Sequence, residues 1–335
     1  MTDLPTDTVL AAIADRRAER RNFLRYAGGA AASAGALSLL AACGGDGDNS
    51  STPSPTPTAT TPTVGTDADV LNFALNLEYL EASFYSFAAF GQGLSSSIIS
   101  GVGALGTVTG GAAVNFQDPI VAQYAREIAN DEIAHVNFLR TILGSSAVAM
   151  PAINIGGDAT GAFTAVARAA RVVGETEVFN PYANDINFLL GAYLFEDVGV
   201  SAYKGAAPLL VNKVFLEAAA GILATEGYHA GLIRSVLYRK GIDPAETLAG
   251  AATAIKNAQL LSDARDGLDG TSNLDEGIGD ATTANVVPAD TNGVAFGRST
   301  GQVLNIVYFN RAAVASGGFF PNGINGNIRT SAASA

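Results

Sequence analysis

The chain contains two histidines, and each follows a glutamate by three positions, in Glu132-Ile133-Ala134-His135 and Glu226-Gly227-Tyr228-His229. Both stretches have helical periodicity, and residues three apart on a helix share a face, their Cβ atoms roughly 5–6 Å apart. A carboxylate and an imidazole so placed can hold one metal ion from the same side. In four-helix bundles built around carboxylate-bridged metal pairs, two helices each give a Glu-x-x-His pair and the other two each give one glutamate. Glu78 and Glu196 are candidates for those single carboxylates. Glu78, Glu132, His135, Glu196, Glu226 and His229 around two divalent ions leave a near-neutral centre, with Glu132 and Glu226 placed to bridge. Oxygen and imidazole donors suit iron or manganese, whereas zinc takes fewer ligands and often sulfur. Catalysis at such a centre falls to Glu132, His135, Glu226 and His229.

The spacing of apolar residues predicts the helices that must carry these groups. The first is expected over residues 67–90, with Asn72, Asn76, Tyr79, Ser83 and Ser86 on one side and Leu71, Leu75, Leu77, Phe84 and Tyr85 on the other. Glu78 and Glu81 both lie on the apolar side. A buried carboxylate without a partner is costly, so two inward glutamates imply a buried cation. By position alone either could be the ligand. The second helix is expected over 118–143, opened by Asp118-Pro119 and closed by Gly144, with Val121, Ile128, Glu132, His135 and Leu139 in one stripe. The third is expected over 181–203, with Leu189, Tyr193, Glu196 and Tyr203 in line. The fourth covers 209–240, with Phe215, Ile222, Glu226, His229 and Ile233 in line, and a further helix follows over 244–261.

The two helix pairs repeat one layout, a lone inward glutamate followed by a Glu-x-x-His. Tyr85 follows Glu78 by seven residues and Tyr203 follows Glu196 by seven, two turns along the same face, which reads as an internal duplication. Each tyrosine either packs in the core or holds a ligand carboxylate. Glu127 and Asp131 lie off the centre of their stripe and read as a solvated flank, and Glu175 and Glu177 as loop charges.

Outside the bundle, Arg20-Arg21-Asn22-Phe23-Leu24-Arg25 and the uncharged run behind it read as an export signal of the twin-arginine kind. The run ends in Leu40-Ala41-Ala42-Cys43, similar to a lipoprotein processing site, and Cys43 is the one cysteine of the chain. Lipidation there would anchor the protein to a membrane and place it in the periplasm or on a bacterial membrane. Residues 1–43 form this segment, 44–66 a Ser/Thr/Pro tether unable to bury enough surface to order itself, 67–261 the helical bundle, and 262–335 an irregular extension. A helix over 300–313 and the adjacent Phe319-Phe320 indicate that this extension docks on the bundle. The whole chain carries a formal charge of −12. Without residues 1–43 there remain 14 basic and 27 acidic side chains, a formal charge of −13, which disfavours nucleic acid as a partner and favours cations.

At these positions the sequence resembles the ferritin-like superfamily, which includes ferritins, bacterioferritins, rubrerythrins and manganese catalases. Leu77-Glu78 with Tyr85 seven residues on resembles the first-helix motif of ferritins and bacterioferritins, which favours Glu78 over Glu81. Glu132 with His135, Glu196, and Glu226 with His229 match the second, third and fourth helices. The resemblance covers about residues 67–240. The front end, the insertions and residues 316–327 are similar to exported bacterial ferritin-like proteins related to desiccation-associated proteins. The resemblance implies an all-α, ferritin-like four-helix bundle with a carboxylate-bridged two-metal site, an extra helix and a long irregular C-terminal tail. It also implies two iron or manganese ions as cofactors, and a redox reaction with dioxygen, peroxide or ferrous iron. A tethered chain with a long irregular tail is a poor subunit for a closed shell, so mineral storage is not expected. The competing expectation is a non-catalytic envelope protein whose metals staple the bundle.

Overall fold

Short polar side chains start each long helix by satisfying N–H groups that the first turn leaves unpaired. The computed structural model describes residues 66–334, so the expected export signal, the Cys43 processing site and nearly all of the tether lie outside the described residues. Thr66 and Asp69 form a capping box at the head of α1 (Asp67–Phe90), and Gly91, at φ 71°, closes it. That left-handed conformation costs glycine least. Asp118 accepts from the N–H of Ile120 at the start of α2 (Pro119–Leu143), with proline in the first turn. After the short α3 (Ala162–Ala169), Asn184 caps α4 (Asp185–Ala206) and Asn212 caps α5 (Lys213–Ile242).

Contacts between helix ends fix the direction of the four long helices. Asp185, at the start of α4, accepts from the N–H groups of Gln117 and Asp118, both at 2.9 Å, so α4 begins where α2 begins. Asp67, at the start of α1, accepts from Val211 and Asn212 at 2.9 and 2.8 Å, so α1 and α5 also begin together. Lys240, near the end of α5, pairs with Asp118 at 2.7 Å, which sets α5 antiparallel to α2. The bundle therefore runs up, down, down, up, and a crossover from Gly144 to Asn184 spans its length, as this connectivity requires. Within the crossover, β2 (Ile153–Asn154) pairs in parallel with β1 (Val108–Thr109), Val108 opposite Ile153.

The polar side of α1 is buried under these connections instead of facing water. Asn72 donates to the carbonyl of Ser146 and accepts from the N–H of Val148. Asn76 exchanges two hydrogen bonds with the backbone of Asn325, and Tyr79 donates to the carbonyl of Ile98 while accepting from Arg140. Three irregular segments thus spend their backbone groups on one helix, which explains its polar stripe.

Two C-terminal elements depart from their sequence patterns. The helix expected over 244–261 is α6 (Ala254–Asp269). The carboxylates of Asp243 and Glu246 bond backbone N–H groups one or two residues on, offering the chain an alternative to helix, and Gly250 turns left-handed at φ 90°. The last helix, α7 (Thr300–Tyr308), stops short of 313 because Phe309 adopts φ 55°.

Three buried arginines hold the extension to the bundle. Arg234 of α5 and Arg265 of α6 both reach Asp197 of α4, at 2.7 and 2.8 Å. Arg265 also pairs with Asp275 at 2.7 Å, and Arg298 pairs with Asp269 at 2.6 Å and with Asp275. The Arg265 guanidinium stands 4.6 Å from the centre of the Tyr193 ring. Phe319 and Phe320 are buried, Phe319 against Phe163 and Phe195. Among the described residues no helix is long and apolar enough to cross a membrane.

Candidate metal centre

Glu132 sits between the two imidazoles. Its Oε1 lies 3.0 Å from Nδ1 of His229 and its Oε2 lies 3.5 Å from Nδ1 of His135. The rings are 6.2 Å apart. Around His135, Nδ1 is 3.3 Å from Glu78 Oε2 and 3.6 Å from Glu226 Oε1. Around His229, Nδ1 is 3.6 Å from Glu196 Oε2. Two donor groups result, Glu78, Glu132, His135 and Glu226 in one and Glu132, Glu196 and His229 in the other, each with its ligating atoms within 4.8 Å of one another. Glu132 belongs to both and Glu226 to the first alone, so the two expected bridging carboxylates are not equivalent.

Helical phase explains the convergence. Glu132 and His135 share the inner face of α2 with Ile128, Val136 and Leu139, and Glu226 and His229 share the inner face of α5 with Ile222 and Ile233. Glu78 and Glu196 come from α1 and α4, both of which are buried along most of their length. The six residues are at most 8 % exposed.

Eight of their atoms have no hydrogen-bond partner: Glu78 Oε2, both oxygens of Glu132, Glu196 Oε2, both oxygens of Glu226, and Nδ1 of each histidine. Buried polar atoms are rarely left so. Here the unpartnered atoms are lone-pair donors that face one another across distances too long or too misaligned for hydrogen bonds. A divalent cation in each group would satisfy them, and two such ions would balance the charge of the four glutamates. The donor set therefore fits a pair of iron or manganese ions.

Electrostatics within the cluster point the same way. Burial and the neighbouring Glu132 push Glu78 up to about 7. Burial also acts to raise Glu132, but His135 and His229 outweigh it and hold that carboxyl at about 2. Burial works to lower His135, yet Glu132 and Glu78 drive it up to about 11. His229 is raised as well, against its burial, by Glu196, Asp131 and Glu132. Glu226 is raised well above the usual carboxyl range, first by burial and then by Glu132 and Glu81. Protons thus fill the role that cations would otherwise take.

The tyrosines act across the helix pairs. Tyr85 of α1 donates to Oε1 of Glu196 on α4, and Tyr203 of α4 donates to Oε1 of Glu78 on α1. Each hydroxyl occupies one oxygen and leaves Oε2 toward the histidines, and hydrogen bonds of this kind fix ligand orientation. The near-twofold exchange matches the repeated Glu-to-Tyr spacing of the sequence.

Asp131 is a correction to the sequence reading. Its side chain is 45 % exposed, as for a solvated flank, yet Oδ2 lies 3.2 Å from Nε2 of His229. A carboxylate there keeps the proton on Nε2 and turns the Nδ1 lone pair inward. The signal available was its place directly before Glu132 on a helix whose inner face carries the ligand. Asp131 also lines an open groove of about 210 Å³ between α2 and α5, with Tyr124, Glu127, Thr225, Tyr228 and His229. Glu175 and Glu177 lie in an exposed loop away from the centre. Glu81 is buried but belongs to neither donor group.

Comparison with known proteins agrees with this geometry. The chain is 29 % identical over 273 residues to the ferritin-like catalase Nec2 of Nesocodon mauritianus, covering 78 % of this chain and 84 % of that protein. It is 29 % identical over 256 residues to the desiccation-related protein PCC13-62 of Craterostigma plantagineum, covering 71 % of this chain and 76 % of that one. No solved structure gives a significant match. The family model for the ferritin-like domain matches residues 66–239, which include every residue of both donor groups and all of the four bundle helices but the last three residues of α5, and the chain belongs to that family.

Proposed function

We propose that the protein is an exported dimetal oxidoreductase that removes hydrogen peroxide, converting two molecules to two of water and one of dioxygen. The eight unpartnered donor atoms carry this reading, because one metal ion in each donor group would satisfy them together. Glu78, Glu132, His135 and Glu226 would hold one iron or manganese ion and Glu132, Glu196 and His229 the other, and such a pair would supply the electron exchange between two peroxide molecules. The similarity to a protein named as a ferritin-like catalase favours peroxide over ferrous iron as substrate.

The chain's own groups bind and orient. The groove between α2 and α5 is lined in part by His229 and, at about 210 Å³, has room for small polar molecules. Asp131 holds the His229 proton on Nε2, and Tyr85 and Tyr203 hold Glu196 and Glu78 with Oε2 inward. Burial keeps bulk water from the carboxylates, which strengthens their interaction with bound charge. The twin-arginine pattern at Arg20-Arg21 supports export of the folded, metal-loaded protein, and Cys43 its anchoring by a lipid.

Manganese-loaded and iron-loaded protein should evolve dioxygen from hydrogen peroxide, and E132A or H229A should abolish it while the helical content persists. Ferrous oxidation without dioxygen evolution would reassign the substrate. Turnover that survives both substitutions would end the assignment. The similarity to a desiccation-related protein favours a second reading, metals as staples; in that case metal removal lowers the melting temperature and no peroxide turnover is found.

A further inference from the structure

Glu81 remains outside the two donor groups, and its surroundings do not account for it. It is 5 % exposed and makes no hydrogen bond or ion pair among the described residues. Glu81 and Gly199 line a cavity of about 20 Å³ whose other walls are apolar, among them Leu77, Leu80, Phe195 and Phe319. A cavity of that size holds a water only where several polar groups can bind it, so solvation from that side is poor.

The internal repeat shows where the carboxylate is aimed. Three residues after Glu78 comes Glu81, and three residues after the matching Glu196 comes Gly199. A Cβ at Gly199 would overlap Oε2 of Glu226 and stand 3.2 Å from Oε1 of Glu81. One half of the repeat therefore carries an extra carboxylate, and the other half lacks the side chain that would take its space. Both oxygens lie against the same stretch of α4, and that oxygen of Glu226 has no hydrogen-bond partner. A glycine in the middle of a buried helix weakens it relative to alanine, and clearance for these two carboxylates is its use here.

We propose that Glu81 is a seventh metal ligand and the fifth carboxylate of the centre, specific for the more highly charged state of the metal pair and admitted to it by Gly199. The inference rests on the two-metal reading above. Four glutamates balance two divalent ions. A fifth carboxylate has no charge to balance until hydrogen peroxide, itself reduced to water, takes two electrons from the pair, and it then offsets one of the two positive charges gained. Its approach from the α1 and α4 side leaves the α2 and α5 groove open to substrate.

The test compares full-length protein, E81Q and G199A for retention of ferric iron against citrate and for manganese(II) affinity against a chelating dye. E81Q keeps shape and polarity but loses the negative charge, so ferric retention should fall about tenfold or more while manganese(II) affinity changes less than about threefold. G199A should reproduce the ferric loss by crowding both carboxylates. Unchanged ferric retention in E81Q, or equal losses of both ions in E81Q, would overturn the role of Glu81 and leave the two-metal centre standing. A wild-type protein that binds neither ion would remove the centre itself, and the inference with it.

Discussion

Glu196 and Asp197 are neighbours on α4, and both are buried, yet they meet opposite fates. Asp197 turns outward from the bundle axis to Arg234 and Arg265, in a network where guanidinium groups answer the carboxylates. Glu196 turns inward to a space holding three more ligand carboxylates, Glu81 and two imidazoles, with no arginine or lysine. One region supplies its own cations, and the other, among the described residues, gathers carboxylates and imidazoles that could hold metal ions. Buried charges are tolerated when paired, so the contrast separates charge used to fasten the fold from charge kept for a ligand.

Neutralising single carboxylates on the two sides of α4 gives the largest expected difference. D275N or D197N strands a buried guanidinium and should cost about 3–5 kcal/mol of stability by urea denaturation. E226Q, measured in metal-stripped protein, replaces a buried carboxyl whose two oxygens have no hydrogen-bond partner and should leave stability unchanged or raised. Equal destabilisation by both kinds of substitution would break the comparison. With metal bound the order should reverse for the inner site, E226Q losing the stabilisation that manganese adds.

Ligand orientation comes next in size. Y85F and D131N leave all six proposed ligands in place and should lower manganese affinity by about 10–100-fold, read by chelator competition. Affinities equal to wild type would reduce Tyr85 and Asp131 to packing and surface roles.

Proton release sharpens the comparison further. In metal-stripped protein His135 is held up to about 11 and Glu78 up to about 7, so near pH 6 both carry protons that a metal must displace. Manganese affinity should therefore rise with pH, most steeply below 7, and calorimetry in buffers of different ionisation enthalpy should detect the released protons. The histidine's effect on stability has the opposite sign. A folded pKa above the unfolded 6.5 stabilises the metal-stripped protein fully below that value, and the gain is lost as pH climbs toward about 11. Glu132, held at about 2, stabilises above 4.5 and loses that contribution as pH falls through about 2. The smallest effect is expected at the partly exposed Lys240, where K240A removes pairs with Asp118 and Glu246 and should cost no more than about 1 kcal/mol.

The inner site was legible in the sequence because helical spacing places each side chain on a face before any tertiary contact is known. Glu132 with His135 and Glu226 with His229 needed only a three-residue interval and an apolar stripe. Choosing Glu78 over Glu81 took the tyrosine interval and the family resemblance, since both glutamates lie on one face of α1. The arginine network was not legible. Arg265 and Arg298 sit in or beside stretches rich in Gly, Asp and Asn, and their carboxylate partners are up to 68 residues away, with no periodicity to link them. The polar face of α1 misleads for a related reason, as its partners are backbone groups of loops, which leave no mark in side-chain patterning. Asp131 shows the limit of assigning faces, because one residue at the edge of a stripe both meets water and orients His229.

The central claim is that cations, not protons, are the natural complement of the inner carboxylates. Anomalous scattering from crystals of manganese-loaded protein tests it most directly. Two peaks are predicted on either side of Glu132, one beside His135 and one beside His229, both missing in E132A. A map with no peak between the four helices, or with manganese only at surface carboxylates, would contradict the account.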